Sequence, residues 1–413
     1  MNTSLSQELI ARGFIHQHTN DDLEEILNTT RVIYHGIDPS GDSAHVGHLA
    51  VWILLHHLAK AGHQVLFLVG GGTGMIGDPK PDAERTLKSV EEIDKNVNKI
   101  KHQAEKIITG EEITFVNNRD WLGKLGLIEF LRDIGKHFTV NELIKKDAIN
   151  KRLSTETGIS YTEFAYPLLQ GFDYLQLFEK YHCTLQIGGS DQWGNIIAGV
   201  DLIRRKTSQT VHALTVPLVI DKSTGKKFGK SEGNAVWLDP EKTSPYNFYQ
   251  FWLQVTDINV ADYLKIFTFL PLKEIEEIIV KHKTSPEQRF AQKTLAKAIT
   301  SFIHGAELTD QLIKVSASVF GEVNLEELNN SEKNLLLNNL PVTEIENNSL
   351  LLESLVKSQL ASSKREARTF IIEKAVSLNH QVTTDLDTTI SGESGKLFLL
   401  KRGKKHLTLL QIK

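Results

Sequence analysis

Short apolar runs that end in glycine are what most restrict this chain. Arg31-Val32-Ile33 leads toward Gly36, Val65-Leu66-Phe67-Leu68-Val69 runs into Gly70-Gly71-Gly72, and Leu185-Gln186-Ile187 opens into Gly188-Gly189. A short strand that is apolar at nearly every position is buried on both faces, as in a parallel sheet. Ile113-Thr114-Phe115-Val116 adds a further strand. Between the strands the periodicity is helical, over Leu49–Ala61 (stopped by Gly62), Ser89–Ile108, Leu127–Lys136, Thr139–Asn150, Thr162–Lys180 and a segment ending near Arg205. The alternation predicts an α/β fold, a doubly wound parallel sheet with ligands at the carboxyl ends of its strands.

The remainder reads differently. Pro245–Gln254, Val260–Phe267, Leu272–His282 and Pro286–His304 look helical without intervening strands, which predicts an all-α domain. Asn324–Asn348, rich in Asn, Glu and Leu, has no clear core period and reads as a linker. Leu350–Glu373 then gives two short helices, followed by strands at Val376–Asn379, Lys396–Leu400 and Leu407–Ile412, a small α+β module. The 413 residues allow two or three domains. No run of about 18 apolar residues is present, so no membrane span is expected. The N-terminus has no charged head and apolar core, so no signal peptide is expected. The one cysteine, Cys183, excludes an intrachain disulfide and a Cys-rich zinc site, and fits a reducing cytoplasm. No set of His and acidic residues has metal-ligand spacing, so no protein-held metal is expected.

The stretch Tyr34-His35-Gly36-Ile37-Asp38-Pro39-Ser40 continues to His45-Val46-Gly47-His48, where a helix begins. A helix start offers unpaired N–H groups and a dipole suited to anions, and Gly47 leaves its backbone open to a ligand. Two imidazoles one turn apart would reach the same ligand, or would simply cap and pack. His56 and His57, mid-helix, read as packing residues. Gly72-Thr73-Gly74-Met75-Ile76-Gly77 matches the dinucleotide fingerprint formally, but Asp78-Pro79 breaks the chain where a helix should open. The better reading is a glycine-lined pocket wall carrying Asp78. Asp221–Ser231 holds Lys227 and Lys230 in a glycine-flanked loop, either a solvated turn or a pair of cations that close on phosphate. Tyr166, Gln170 and Asp173 fall on one helix face beside Leu169, Phe172 and Leu175, either as a polar stripe or as the lining of a small polar pocket.

Together these residues resemble a known family. His45-Val46-Gly47-His48 resembles the HIGH signature of class I aminoacyl-tRNA synthetases. Lys227-Phe228-Gly229-Lys230-Ser231 resembles their KMSKS loop in the form typical of bacterial tyrosyl-tRNA synthetases. Gly188–Asn195 and Thr243-Ser244-Pro245-Tyr246 also resemble that family, and the similarity runs through nearly the whole chain. It implies a Rossmann-like class I catalytic domain over 1–222, a lysine loop and helical anticodon-binding domain over 223–323, a linker over 324–348 and an RNA-binding module over 349–413. The implied substrates are L-tyrosine, ATP with Mg²⁺ and tRNA(Tyr), the implied assembly a homodimer, and Phe130, Phe138 and the helices near them are where an apolar interface is expected. By resemblance, Tyr34 and Asp173 bind the phenolic hydroxyl, while Asp78, Tyr166 and Gln170 hold the ammonium group. Asp38, Asp191 and Gln192 serve the ribose or the substrate carboxylate, with Gly36 and Gly47 also in the ATP site. Ser40, His45, His48, Lys227, Lys230 and Arg85 meet the phosphates. A site built to bond the phenol would reject phenylalanine, and this family is the reference case for such discrimination, at about 10⁵-fold. The chain departs from the family pattern with Ile37 for phenylalanine and Val46 for isoleucine. Lys80-Pro81-Asp82-Ala83 replaces a Ser-Gly-Lys type loop, leaving Lys80 only near the expected lysine.

Charge is uneven along the chain. The formal net charge is −4, yet Leu351–Lys413 holds eleven Lys/Arg against six Asp/Glu. Lys364, Arg365 and Arg368 on a helix, and Lys401, Arg402, Lys404 and Lys405 in a turn, are the expected tRNA contacts. Rival readings are an inactive RNA-binding relative, a small-molecule nucleotidyltransferase and a tryptophan-specific synthetase.

Overall fold

The computed structural model describes residues 4–80, 83–108, 113–156, 158–228, 230, 231, 234–403 and 405–413. Contacts divide it into two compact units, Met1–Thr243 with Val255–Leu295, and Ser244–Gln254 with Ala296–Lys413.

The first unit is built on six strands: β1 (Gln17–His18), β2 (Val32–Ile37), β3 (Gln64–Val69), β4 (Ile113–Asn117), β5 (Cys183–Gly189) and β6 (His212–Val216). Their order is β1-β6-β5-β2-β3-β4. Only β1 runs antiparallel, against β6. From β2 the chain winds outward to β3 and β4 on one side, and later to β5 and β6 on the other. The loops after β2 and β5 therefore part, which opens a crevice at their carboxyl ends.

Side-chain alternation along β2 settles which residues face that crevice. Tyr34 points to the face covered by the helix Tyr166–Tyr181, with Leu66, Leu68, Trp121, Phe172 and Tyr174. His35 points to the other face, against Phe67, which in turn packs on Trp52. Trp52 belongs to the helix Val46–Lys60, whose residues Leu49 to Leu55 are all buried. A helix apolar on every side needs a cover, and the helix Asp257–Phe267 with Phe269 provides it. Arg12, itself buried, holds that cover in place by donating to the carbonyls of Lys265, Thr268 and Leu270 at 3.1, 3.1 and 2.8 Å. The helices Asp257–Phe267 and Leu272–Thr284 therefore belong with the first unit, although the expected division groups them with the later helices.

The second unit contains the helices Pro245–Leu253, Ala306–Phe320 and Asn330–Asn339, part of Phe290–His304, and the C-terminal module. After the short ribbon β7 (Lys230–Ser231) and β8 (Asn234–Ala235) of the first unit, the strands are β9 (Val342–Ile345), β10 (Ser349–Leu350), β11 (Val376–Leu378), β12 (Gln381–Val382), β13 (Thr389–Ile390), β14 (Leu397–Arg402) and β15 (His406–Ile412). Five form one sheet, ordered β12-β11-β14-β15-β9. Helices Leu351–Lys357 and Lys364–Ile372 close its core around Leu355, Ile371, Leu400 and Leu410.

The expected fold class holds: a parallel-rich α/β sheet, helices, then a small α+β module. Several local expectations do not. Thr139–Asn150 is divided between two helices, Val140–Leu143 and Asp147–Leu153, and Pro286–His304 is a 3₁₀ turn, Pro286–Gln288, followed by the helix Phe290–His304. Thr162–Lys180 is two helices, Tyr161–Phe164 and Tyr166–Tyr181, because Pro167 has no N–H and fits only a first turn. The expected linker 324–348 is structured instead. Asn329 and Glu332 form a capping box that starts the helix Asn330–Asn339. β9 follows and pairs in parallel with β15. Its apolar periodicity is weak because only one edge of each element is covered. β1 and β6 were not expected, although β6 is buried at all five positions.

Candidate active site

The crevice is lined by loops that each leave the carboxyl end of a strand. After β2 comes Asp38, after β3 the turn Gly70–Asp78, after β4 Asn118 and Trp121, and after β5 Asp191 and Gln192. Gly70 is required because a Cβ there would lie 2.2 Å from an Asp38 oxygen and 2.4 Å from Thr73 Oγ1. The fingerprint-like glycines end in a single 3₁₀ turn, Thr73–Met75, and Gly77 at φ 85° turns the chain to Asp78. The glycines therefore do not open an α-helix, as a dinucleotide-binding loop would.

A continuous hydrogen-bond network runs along the floor. Trp121 Nε1 donates to Asp173 Oδ1 at 2.7 Å, and Asn118 Nδ2 donates to Asp173 Oδ2 at 2.9 Å and to Thr73 Oγ1 at 2.8 Å. Thr73 Oγ1 donates to Asp38 Oδ1 at 2.7 Å, and Tyr166 Oη donates to Asp38 Oδ2 at 2.9 Å. Gly72 N–H fixes Asn118 by donating to its side-chain oxygen at 2.7 Å. Tyr34, 1 % exposed, stands edge-on to Tyr174 with centroids 5.4 Å apart. Burial and the neighbouring Asp173 carboxyl raise the Tyr34 hydroxyl well above its ordinary range. Gln170 is half-buried, one turn beyond Tyr166 on the same helix. Asp78 accepts from Gln192 Nε2 at 2.8 Å and Asn195 Nδ2 at 2.9 Å.

Three carboxyl groups are thereby brought close together, Asp173 buried and Asp38 and Asp78 half-buried. Desolvation pushes Asp173 up to about 7 and Asp38 up to about 6, and it raises Asp78 as well. A cation entering among them would favour their ionised forms. The sign of the stability effect follows: native carboxyls that bind protons more tightly than unfolded ones lose stability as pH rises from about 4 to 7. Relative to Asp173→Asn, the parent chain is expected to lose stability across that interval and no further above it. Urea titrations at pH 4.5, 6 and 8 measure this, and a constant difference would contradict it.

The other part of the crevice is organised by the helix Val46–Lys60. His45 is its N-cap and accepts from Gly47 N–H at 3.0 Å, while His48 Nδ1 accepts from His45 N–H at 3.2 Å. The rings lie 4.0 Å apart, and His45 also faces Trp237 at 5.9 Å. A Cβ on Gly47 would fall 2.7 Å from the His45 ring, so glycine is what lets the imidazole fold over the helix start. In both rings Nδ1 is the atom that caps the helix start. Gly36 is exposed at the end of β2, and Ser40 is exposed in the following turn, its N–H bonded to Asp38 O at 2.8 Å. Lys227 Nζ sits 3.6 Å from Asp191 Oδ2. The backbone of Lys230 pairs with Ala235; the Lys230 side chain, like Pro81, Asp82 and Lys404, lies outside what is described. Arg85 Nε donates to Asp78 O at 2.8 Å, and Lys80 O accepts from Arg152.

Asn118, Trp121, Thr73, Asn195 and Trp237 are the members of this site that sequence reasoning missed. The usable signal for Asn118 and Trp121 was their place directly after β4, at the carboxyl edge of the sheet. In the C-terminal module Lys364, Arg365, Arg368 and Lys405 are exposed, with Lys364 paired to Glu353 at 2.7 Å. Arg402 lies over the Phe370 ring at 4.9 Å, and Lys401 donates to the carbonyl of Val319.

The crevice thus gathers two tyrosines, four carboxyl groups, side-chain amides, two imidazoles and a lysine at the carboxyl ends of the strands. Residues 28–321 match the family model described as tRNA synthetases class I (W and Y). Residues 332–410 match that of the tyrosine--tRNA ligase SYY-like C-terminal domain. The chain is 44% identical to the Tyrosine--tRNA ligase of Streptococcus mutans serotype c, over 98% of this chain and 99% of that one. It is 45% identical, over the same shares, to the Tyrosine--tRNA ligase of Streptococcus suis. Among solved structures, a C-terminally truncated mitochondrial tyrosyl-tRNA synthetase of Aspergillus nidulans superposes with a TM-score of 0.68 at 31% identity, covering 75% of this chain and 92% of that chain. The chain belongs to the tyrosine--tRNA ligase family of the class I synthetases.

Proposed function

We propose that this chain carries out the family's reaction, activation of L-tyrosine by ATP and transfer of the tyrosyl group to tRNA(Tyr), with the residues assembled at this crevice. The observation that carries the reading is the buried chain Trp121–Asp173–Asn118–Thr73–Asp38–Tyr166 beside Tyr34. Asp173 accepts the phenolic O–H and Tyr34 donates to the phenolic oxygen. Asp78, Tyr166 and Gln170 hold the ammonium group, while Asp38, Asp191 and Gln192 orient the substrate carboxylate or the ribose. Gly36 and Gly47 admit the nucleotide.

In the first step a tyrosine carboxylate oxygen bonds to the α-phosphorus. The bond from that phosphorus to the α,β-bridging oxygen breaks, and pyrophosphate leaves. Mg²⁺ arrives on ATP as part of the substrate. His45, His48, Ser40, Lys227, Lys230 and Arg85 meet the charge that develops, a role of position and electrostatics that needs no protein nucleophile. A ribose hydroxyl of the tRNA end then takes the tyrosyl group and AMP leaves. Lys364, Arg365, Arg368, Arg402, Lys404 and Lys405 are the RNA-facing charges.

The protein acts in the cytoplasm; no helix among the described residues is long and apolar enough to cross a membrane. It works as a homodimer, for which the helix Leu127–Asp133 supplies an apolar face. Leu127 and Ile128 are 70% and 74% exposed, whereas Phe130 packs inward. The test is ATP–pyrophosphate exchange. Exchange is expected with tyrosine and not with phenylalanine or tryptophan, and no tyrosine-dependent exchange by folded protein would overturn the reading. Lys227→Ala is expected to slow exchange by about 10² with tyrosine binding unchanged, the usual effect of removing one transition-state donor.

A further inference from the structure

One part of the basic tail is already committed within the second unit. The helix Ala306–Phe320 ends at Gly321, whose φ is 89°. Its last turn leaves carbonyls that need partners. That of Ala317 accepts from Gly321 and, at 2.9 Å, from Glu322. The next two carbonyls are met by the C-terminal module: His380 Nε2 donates to Ser318 O at 2.8 Å, and Lys401 Nζ donates to Val319 O. Lys401 also lies 5.8 Å from the centroid of the Phe320 ring. A positive group at a helix C-terminus is favoured by the helix dipole as well.

The module is shaped for this contact. Asn379 and His380, at φ 46° and 68°, form the two-residue turn between β11 and β12, a geometry typical of tight hairpins. Asn379 anchors the turn to β14 through both its backbone and side chain, at 2.9 and 2.8 Å from Leu399. Ser377 pairs with Lys401, so the strand that bears Lys401 lies beside the strand that leads into the turn bearing His380. A Cβ on Gly321 would lie 3.0 Å from the His380 ring, so this glycine serves the helix end and the fit of the imidazole together. Burial lowers the Lys401 pKa below its ordinary value. Adjacent on β14, Arg402 stacks on Phe370 of the helix that bears Lys364, Arg365 and Arg368.

We propose that His380 and Lys401 are positioning residues for tRNA charging, docking the C-terminal module on the end of the helix Ala306–Phe320 so that the charges of Lys364–Ile372 are presented in one orientation. This rests on the reading that the module contacts tRNA. Lys401 then serves the reaction without touching RNA. A module that is merely tethered still binds, but at an effective concentration lowered by its freedom.

The test uses the full-length protein with Lys401→Met, which keeps an aliphatic cover on Phe320, and separately His380→Asn, which tolerates the left-handed backbone. Each is expected to speed hydrogen exchange in the last turn of Ala306–Phe320. Each should also raise KM for tRNA by about fivefold to tenfold, with tyrosine-dependent ATP–pyrophosphate exchange unchanged. Lys401→Arg, which keeps a donor, should restore both. Unchanged hydrogen exchange in the two variants overturns the inference. So does a KM effect confined to Lys401→Met, which would make that lysine a direct phosphate contact. The combined variant Lys364→Gln, Arg365→Gln and Arg368→Gln separates the two readings. If it leaves KM for tRNA unchanged, the RNA-binding reading fails, and the hydrogen-exchange result still judges the docking.

Discussion

Asp173→Ala is expected to lower kcat/KM for tyrosine in ATP–pyrophosphate exchange by about 10³. The change removes a charge-assisted bond to the phenol, worth about 1.5–3 kcal/mol, and leaves buried donors on Asn118 and Trp121 unpaired at about 1–3 kcal/mol each. Part of that second cost falls on the free enzyme, so the expected loss is about 4 kcal/mol, or about 10³ in rate. Phenylalanine, which makes no such bond, should lose far less, and the preference for tyrosine should shrink accordingly. Measuring exchange with both amino acids decides it. Equal losses for the two would mean that Asp173 only supports the fold. Trp121→Phe, which removes one donor to Asp173 and keeps the ring, should fall between parent and Asp173→Ala.

Breaking the ion pair of Arg152 and Glu163 is expected to destabilise the first unit by about 3–5 kcal/mol, because the remaining charge is buried without a partner. The pair is 3.0 Å apart with side chains only 3% and 2% exposed. Arg152 also donates to Gly158 O at 3.0 Å and Lys80 O at 3.3 Å, and Glu163 accepts from Arg85 N–H at 3.3 Å. Arg152→Met should show the full loss in urea unfolding of the first unit. Arg152→Met with Glu163→Leu should recover most of it, since an apolar pair can replace a buried ion pair. Exchange activity should stay low in the double variant, because Lys80 O and Arg85 N–H keep no fixed partner and Arg85 loses its setting. A single variant within about 1 kcal/mol of the parent would show that the charges are reached by water.

How much of this was legible varies residue by residue. Asp78, Tyr166, Asp173, His45 and His48 could be picked out because short-range signals mark them: a strand end, a helix start, a three-and-four spacing on one helix face; Tyr34 was reached only through the family resemblance. Asn118, Trp121 and Thr73 carry no such mark. Asn118 is 46 residues from Gly72 and 55 from Asp173 along the chain, and only the sheet brings them together. The same limit explains β6, whose His-Ala-Leu-Thr-Val has no glycine-rich ending, and the linker reading of 324–348, where β9 acquires its partner from residues more than 60 positions later. It also explains Lys401. In sequence it stands with Arg402, Lys404 and Lys405 as one basic cluster, and nothing local tells which lysine turns inward.

By itself the sequence determined the class of fold and marked many of the polar residues that gather at the crevice. Buried strands need unbroken apolar runs, helix starts need caps, and phosphate and phenol need particular side chains at particular ends of strands, all constraints written within a few residues of each other. Only the tertiary structure decided which carboxyl groups share the floor, which donors hold them, that Arg152 and Glu163 sit behind Arg85, and that Lys401 caps a helix. Those are meetings between segments far apart in the chain. Burial is what gives them their energy, because a polar group removed from water must find its partner inside the protein.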